Sequence, residues 1–499
     1  QAVMQINFTN TIRTYGGATN TGVTNVQVIR PGFTLAQANS IQPFDPVFLN
    51  SLQPFAYLRV MDWLGTNTNP FYGSGATPTI GWSDRSLPTD EFQGLGGSLR
   101  HGAWGVSWEY IILLANAANK DIWINIPVNA TGSSDPLDPA YVASPDTTSY
   151  IYNLAYLLKN GDAFTGNVGL NSNLHIYIED SNEVWNSSSA EDWWNAAAAN
   201  AEGCNSGSPL CNDGDSNSID WAARRHIKRM YEIGNIFQGV FGAGSLNNKI
   251  RMVYAWWQLD EGSGSGAANA LSWFNKTYGA PSNYIYSMAQ ADYFFNANYA
   301  DDTTIDEVLQ DLQSGSSGMT DQIQYVESAY TTANQYGLKL STYEGGPDTD
   351  NMGNQDTTNV GVNIEANRQY AATDDIGLGM DLLLENQMRD QWFPYGGNTF
   401  GIFQLSGAYS RYGDYGLTDD LCNLQTAKYS AVLNLTGYSP AVPAAPSVST
   451  VAGNQSVTLN WPAVTGAANY TVGRSTTSGG PYTTLGTACT PTYSCRWRA

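Results

Sequence analysis

The sequence predicts an α/β fold: a (β/α)8 TIM barrel followed by a small, incomplete all-β sandwich module. Three observations predict it. Short apolar strands recur eight times between residues 26 and 405, and most are joined by stretches with apolar residues at helical spacing. No Gly-rich phosphate turn follows the first strand, as a doubly wound sheet would require. A proline-rich segment, 438–446, then precedes a tail patterned as β structure.

Residues 1–25 read as an N-terminal β segment packing on the barrel, with Val3–Phe8 as its clearest run. The barrel spans 26–437. Its first strand is Val26–Arg30, ending in Pro31-Gly32, and its second is Phe55–Trp63. A helix over Trp108–Asn119 leads into Ile122–Pro127, and one over Tyr150–Lys159 leads into a fourth strand at 174–179. The long helical pattern Ser218–Phe241 precedes Ile250–Trp257, and Tyr284–Ala289 is the sixth strand. A helix over Thr320–Tyr336 precedes Leu338–Tyr343, and one over Asp375–Arg389 precedes Thr399–Leu405. In the tail, 447–499, Ser456–Trp461 and Ala468–Ser475 place a Trp strand before a Tyr strand. That pairing resembles fibronectin type III domains. Such sandwiches need about 100 residues, so the tail reads as a partial module.

Charged residues make up only 13% of the 499, while aromatics reach 12% with 15 Trp and 30 Tyr. This is a polar, uncharged surface over a real core, not a disordered composition. The net charge of −22 opposes binding to nucleic acid and anionic membranes. A neutral substrate is the complement, and aromatic planes suit the C–H faces of sugars, although most aromatics pack in cores. No apolar run is long enough to span a bilayer. The five cysteines are sparse and loop-located: Cys204 with Cys211 and Cys489 with Cys495 are candidate pairs, leaving Cys422 over. That usage fits an exported, secreted protein. The scattered His101, His175 and His226 form neither a metal set nor a Ser-His-Asp triad. The acidic segment 213–220 lacks the Glu that closes an EF-hand loop and reads as a turn with a helix N-cap at Asn217 or Ser218. No metal or cofactor is called for.

Two glutamates stand where apolar strands run into loops: Glu183 in Ser181-Asn182-Glu183-Val184-Trp185-Asn186, and Glu344 in Tyr343-Glu344-Gly345-Gly346. A carboxyl group at each of two strand ends suits acid/base cleavage of an acetal, one protonating the leaving oxygen and one attacking or activating water. A lone strand-end Glu is most often a solvated loop residue; two, on the fourth and seventh strands, are harder to dismiss.

These residues resemble the clan of (β/α)8 retaining glycoside hydrolases that includes the family 5 cellulases and mannanases. The resemblance covers roughly 26–437. It implies that Glu183, after Asn182 on strand four, is the acid/base, and that Glu344 on strand seven is the nucleophile. Val184 replaces the Pro that is common after such a Glu, so the branch is a less studied one. The resemblance further implies that Arg59 orients the nucleophile, that Asn182 holds the sugar 2-hydroxyl and that Tyr293 contacts Glu344, with plain packing as the alternative for Tyr293. Asp62, Trp63 and Trp257 would line the cleft. Trp256 and Trp257 should face opposite sides, as side chains alternate along a strand. Glu179 is expected deeper in the barrel, neutralised by Arg59 or Arg30. Strand eight offers Gln404, Leu405 and Ser406 where many members carry a Trp, so a sugar platform is lost or comes from a loop such as 409–416. The expected activity is hydrolysis of a neutral polysaccharide (cellulose, β-glucan, xylan or mannan), endo-acting. A noncatalytic carbohydrate-binding or cell-surface protein on the same barrel, or an exo-glycosidase or transglycosylase, is the alternative.

Overall fold

The structure, a computed structural model, describes residues 43–68, 79–90, 93–94, 105–137, 146–203, 207–262, 264–349, 359–439, 445–453, 456–461, 464, 470–478, 480–488 and 493–498. The expected first strand, Val26–Arg30, the segment 1–25 and His101 lie outside the described residues.

Seven strands form one parallel sheet in chain order: β1 (Tyr57–Arg59), β2 (Asp121–Ile126), β3 (Ile176–Asp180), β4 (Ile250–Ala255), β5 (Ser287–Phe295), β6 (Lys339–Asp348) and β7 (Gly397–Thr399). They are the expected second to eighth strands. Every neighbour pair is parallel, and helices cross between most of them, so the fold is the α/β barrel. Those helices are α1 (Trp108–Ala118), α2 (Tyr150–Asn160), α3 (Ala190–Glu202), α4 (Ser218–Phe241), α5 (Gly266–Tyr278), α6 (Ile305–Ser314), α7 (Ile323–Gln335), α8 (Val360–Ala366), α9 (Met380–Asn386) and α10 (Ala427–Thr436), with a short helix Pro46–Ser51 ahead of β1.

Several boundaries differ from expectation. The second expected strand stops at Arg59; Val60 N still donates to Trp123 O at 3.1 Å, and the chain then turns. Trp256 and Trp257 fall beyond β4. β5 and β6 run further towards the loops than their apolar stretches, because both ladders continue through polar residues. After Thr399 the chain leaves the ladder, and Phe403 N donates singly to Gly345 O. The helix expected to end at Arg389 continues from α9 as a π turn, Gln387–Trp392.

Alternation sorts the strands cleanly. Ile122, Ile124, Ile126, Ile176 and Ile178 point outwards and bury with α1, α2 and α4. Tyr57, Trp123 and Tyr177 point inwards and pack ring on ring at 5.5–5.9 Å. The barrel centre is therefore aromatic, where branched aliphatics are the usual filling. The tail is all-β, as a three-stranded antiparallel sheet (Ser449–Gly453, Ser456–Trp461, Tyr493–Arg498) and a two-stranded one (Tyr470–Arg474, Thr483–Ala488). Trp461 is buried against Tyr470, with ring centroids 5.4 Å apart.

Cys211 and Cys422 are both disulfide-bonded, which corrects the expectation that Cys422 is left over; spacing along the chain does not report a bond made by folding. In the acidic loop, Asp213 and Asp215 both lie on the Arg224 guanidinium at 2.9 Å, and Asn217 caps α4 by accepting from Ile219 N.

Candidate active site

The inward positions at the C-terminal end of the sheet are polar. On β1, Arg59 follows Tyr57 on the inner face; on β3, Glu179 follows Tyr177. Arg59 Nη2 is 3.0 Å from Glu179 Oε2. The same oxygen accepts from Trp123 Nε1 and Asn125 Nδ2, each at 2.9 Å. Burial pushes the Glu179 carboxyl up and Arg59 opposes it. Glu179 is thus walled into the barrel, with every donor around it belonging to the protein.

Arg59 has two further partners. Its Nη1 donates to Glu344 Oε2 at 3.4 Å, and its Nη2 to Asn182 Oδ1 at 2.7 Å. Asn182 Nδ2 in turn donates to Asn67 Oδ1 at 3.1 Å. One planar fork thereby ties the β3 loop to β6.

Glu344 reaches the inner face through a break in the β6 ladder. Gln290 pairs with Thr342 and Ala291 with Glu344, so Tyr343 is an extra residue opposite no partner. This is a β-bulge. Tyr343 keeps its inward place among Trp123, Val253 and Ala289, and the slip turns the next residue, Glu344, inwards as well. Tyr343 then lies between the two carboxyl groups. Its hydroxyl donates to Glu183 Oε1 at 3.1 Å, and its ring packs on Trp185 at 5.9 Å.

Glu183 sits in the loop after β3, half-buried. Ser181 and Glu183 hold φ of 60° and 44°, in the left-handed region that side chains rarely adopt. Glu183 Oε2 accepts from Asn186 Nδ2 at 3.0 Å. Behind the loop, outward-facing Asp180 meets His226 Nδ1 of α4 at 3.2 Å, and His226 Nε2 lies 3.2 Å from Ala255 O. Burial pushes Glu344 up to about 8; Arg59 opposes this, while the charges of Glu183, Glu179 and Asp62 add to it. The charge of Glu183 thus acts directly on Glu344.

The remaining expected residues fall as follows. Asp62 and Trp63 lie just past β1 and are exposed; burial against the protein side raises the Asp62 carboxyl and Arg59 lowers it. Trp63 stacks on Phe48 at 5.5 Å. Trp257 is 50% exposed beyond β4, while Trp256 is buried on the helix side against Tyr254, so the two face opposite ways. Tyr293 is inward on β5; its ring packs on Phe295, Phe403 and Tyr415, and the Glu344 charge adds to burial in raising its hydroxyl. Sequence reading missed Tyr343, Asn186, Asn67 and Glu191. Glu191 opens α3, is buried, and is raised to about 7 by burial, with the Glu183 charge adding to it. The Gly345-Gly346 pair was the available signal for the bulge. Among the described residues, no group of His, Cys, Asp and Glu is placed to hold a metal ion.

No family model matches the chain, and no curated protein matches it. Among solved structures it is similar to a GH51 arabinofuranosidase from Xanthomonas axonopodis pv. citri, at 12% identity over 86% of this chain and 71% of that one, with a TM-score of 0.43. It is also similar to a modular endo-beta-1,4-mannanase of family 26 from Cellulomonas fimi, at 12% identity over 81% and 79%, TM-score 0.31. A thermostable mutant of the xylanase Xyn10A from Cellvibrio japonicus follows at 13% identity over 67% and 84%, TM-score 0.32. The fold described above is the (β/α)8 type on which these glycosidases are built, and the likeness is one of fold.

Proposed function

We propose that the chain is a retaining glycoside hydrolase that cleaves β-glycosidic bonds in a neutral polysaccharide such as cellulose, β-glucan, xylan or mannan. The observation that carries this reading is a pair of carboxyl groups at the ends of two strands, each held by its own donors: Glu344 by Arg59, Glu183 by Tyr343 and Asn186. Double displacement needs one proton on such a pair, carried by Glu183 when Glu344 attacks. Glu183 gives its proton to the leaving oxygen as that C–O bond breaks, and a Glu344 oxygen bonds to the anomeric carbon. Water then attacks that carbon, Glu183 takes the water proton, and Glu344 leaves as a carboxylate. Arg59 favours the ionised Glu344 that attacks. Asn182, fixed by Arg59 and Asn67, would meet a sugar hydroxyl in this reading. Exposed Trp63 and Trp257 would serve as sugar platforms, which favours endo action on a chain. Secretion, and a fibronectin type III-like role for the β tail as an accessory module, belong to the same reading.

A polysaccharide panel with product analysis tests the activity. A ladder of oligomers is the expected product pattern; single sugars from the first turnover would instead mark an exo enzyme. Glu183→Ala and Glu344→Ala should each lower hydrolysis by a factor on the order of a thousand or more while the chain stays folded. Full activity in either variant sinks the assignment. Sugar binding without turnover by the wild-type chain would make it a binding protein.

A further inference from the structure

We infer that Tyr343 is a positioning residue for Glu183, delivered by the β6 bulge to hold the acid/base carboxyl through a hydrogen bond to Oε1. The catalytic meaning of that bond rests on the function proposed above; the bond's effect on Glu183 does not.

A regular β6 would send Tyr343 and Glu344 to opposite faces. The unpaired place of Tyr343 between Thr342 and Glu344 puts both inside. The ring is pinned on two sides, by Trp185 at 5.9 Å and by the Arg59 guanidinium 5.3 Å from its centre. Only 2% of the residue is exposed, so the hydroxyl has one direction available, and Glu183 Oε1 lies there at 3.1 Å. A phenol donates to a carboxylate, so the bond favours the ionised form of Glu183. That is the form required in the second displacement, when Glu183 must accept a proton from water. Asn186 Nδ2 at Oε2 fixes the other oxygen, and the two donors together set the plane of the carboxyl group. The other ionisable groups facing Glu183 are Glu344 from β6, Tyr293 from β5 and Glu191 from α3. Glu344 and Glu191 are carboxyl groups whose charge would oppose ionisation of Glu183, and burial keeps the Tyr293 phenol neutral, so Tyr343 supplies the donor on Oε1.

The test is Tyr343→Phe, which keeps the ring and its packing. Glu183 is followed by carbon NMR of labelled glutamate carboxyls, with its signal assigned by its loss in Glu183→Gln. Removing the donor disfavours the charged form, so the Glu183 midpoint should rise by about half a unit to one unit. In an active enzyme the alkaline limb of kcat/KM should move up by the same amount. Site-specific fluorotyrosine at 343, a stronger donor in the same place, should move the midpoint down; it serves equally if the Phe variant does not fold. A midpoint that stays put overturns the proposal whatever the activity. A shifted midpoint in a chain that hydrolyses no glycoside would instead leave Tyr343 coupled to Glu183 and remove the glycosidase reading.

Discussion

Arg59 serves two carboxyl groups and an amide at once, and this decides what replacing it should do. Its Nη2 meets Glu179 and Asn182 while Nη1 meets Glu344. A lysine in its place would bring one compact charge that cannot span these partners. Arg59→Lys should therefore leave a folded chain whose kcat/KM is lower by roughly 10- to 100-fold, because Glu344 and Asn182 lose their common anchor. Arg59→Ala goes further. Glu179 is 1% exposed, and with the guanidinium gone only Trp123 and Asn125 would face it. An uncompensated buried carboxylate costs about 3–5 kcal/mol, so the alanine variant should lose that much in urea unfolding while the lysine variant loses less. Equal stability of the two variants would show that Glu179 is neutral in the folded protein and needs no partner. The same residue shows what a sequence can convey. Arg59 and Glu179 each stand on an inward position of an apolar strand, and a buried charge there must find an opposite one, so their pairing was readable. Tyr343 was not, because an aromatic residue inside a strand reads as packing.

The bulge on β6 is the element on which the site depends, and Gly345 is what permits it. A Cβ built there would come within 2.6 Å of Asp292 O and 3.1 Å of the Phe400 ring, so β5 and the segment after β7 close directly on the backbone. Backbone on one side cannot yield as a flexible side chain would. Gly345→Ala should push β6 away from β5, cost about 1–3 kcal/mol, and lower activity more than stability, since Glu344 is the preceding residue. Thermal melts and kcat on one soluble glycan check it; a variant with wild-type kcat would mean the bulge tolerates displacement. Strands were legible wherever apolar residues ran together, as at Ile122–Ile126 and Ile176–Ile178, because both faces of a barrel strand are buried. Their ends were not. β5 and β6 continue through Gln290, Asp292 and Glu344, whose polarity reads as loop but whose backbones remain in the ladder. Helices with paired signals came through best: α4 begins at an Asn cap and ends at Gly242, with the bounds its periodicity gives.

Across the molecule, burial raises the carboxyl groups of acidic side chains at several separated places. Burial raises Asp292 to about 7, Asp414 to about 6, Glu191 to about 7 and Glu344 to about 8, against ordinary values of 3.8 for Asp and 4.5 for Glu. A carboxyl whose value is higher in the folded chain binds its proton more tightly there than when unfolded. Between the two values the folded state carries more protons, so stability falls as pH rises through that interval. The window runs from about 4 to about 8. The net charge of −22 acts in the same sense, since removing further protons adds to self-repulsion. Two groups act oppositely. Lys249 and Lys428 are lowered to about 8 by burial, and their contribution returns only above that pH, as the unfolded lysines in turn lose their protons. At the acid end, Asp213 is held below its ordinary value by Arg224, and protonating it removes that support. The melting temperature should thus be highest near pH 4 to 5 and decline steadily towards pH 8. Scanning fluorimetry at constant ionic strength measures this directly, and a melting temperature that is flat or rising between pH 5 and 8 would mean these carboxyl groups are ionised inside the folded barrel.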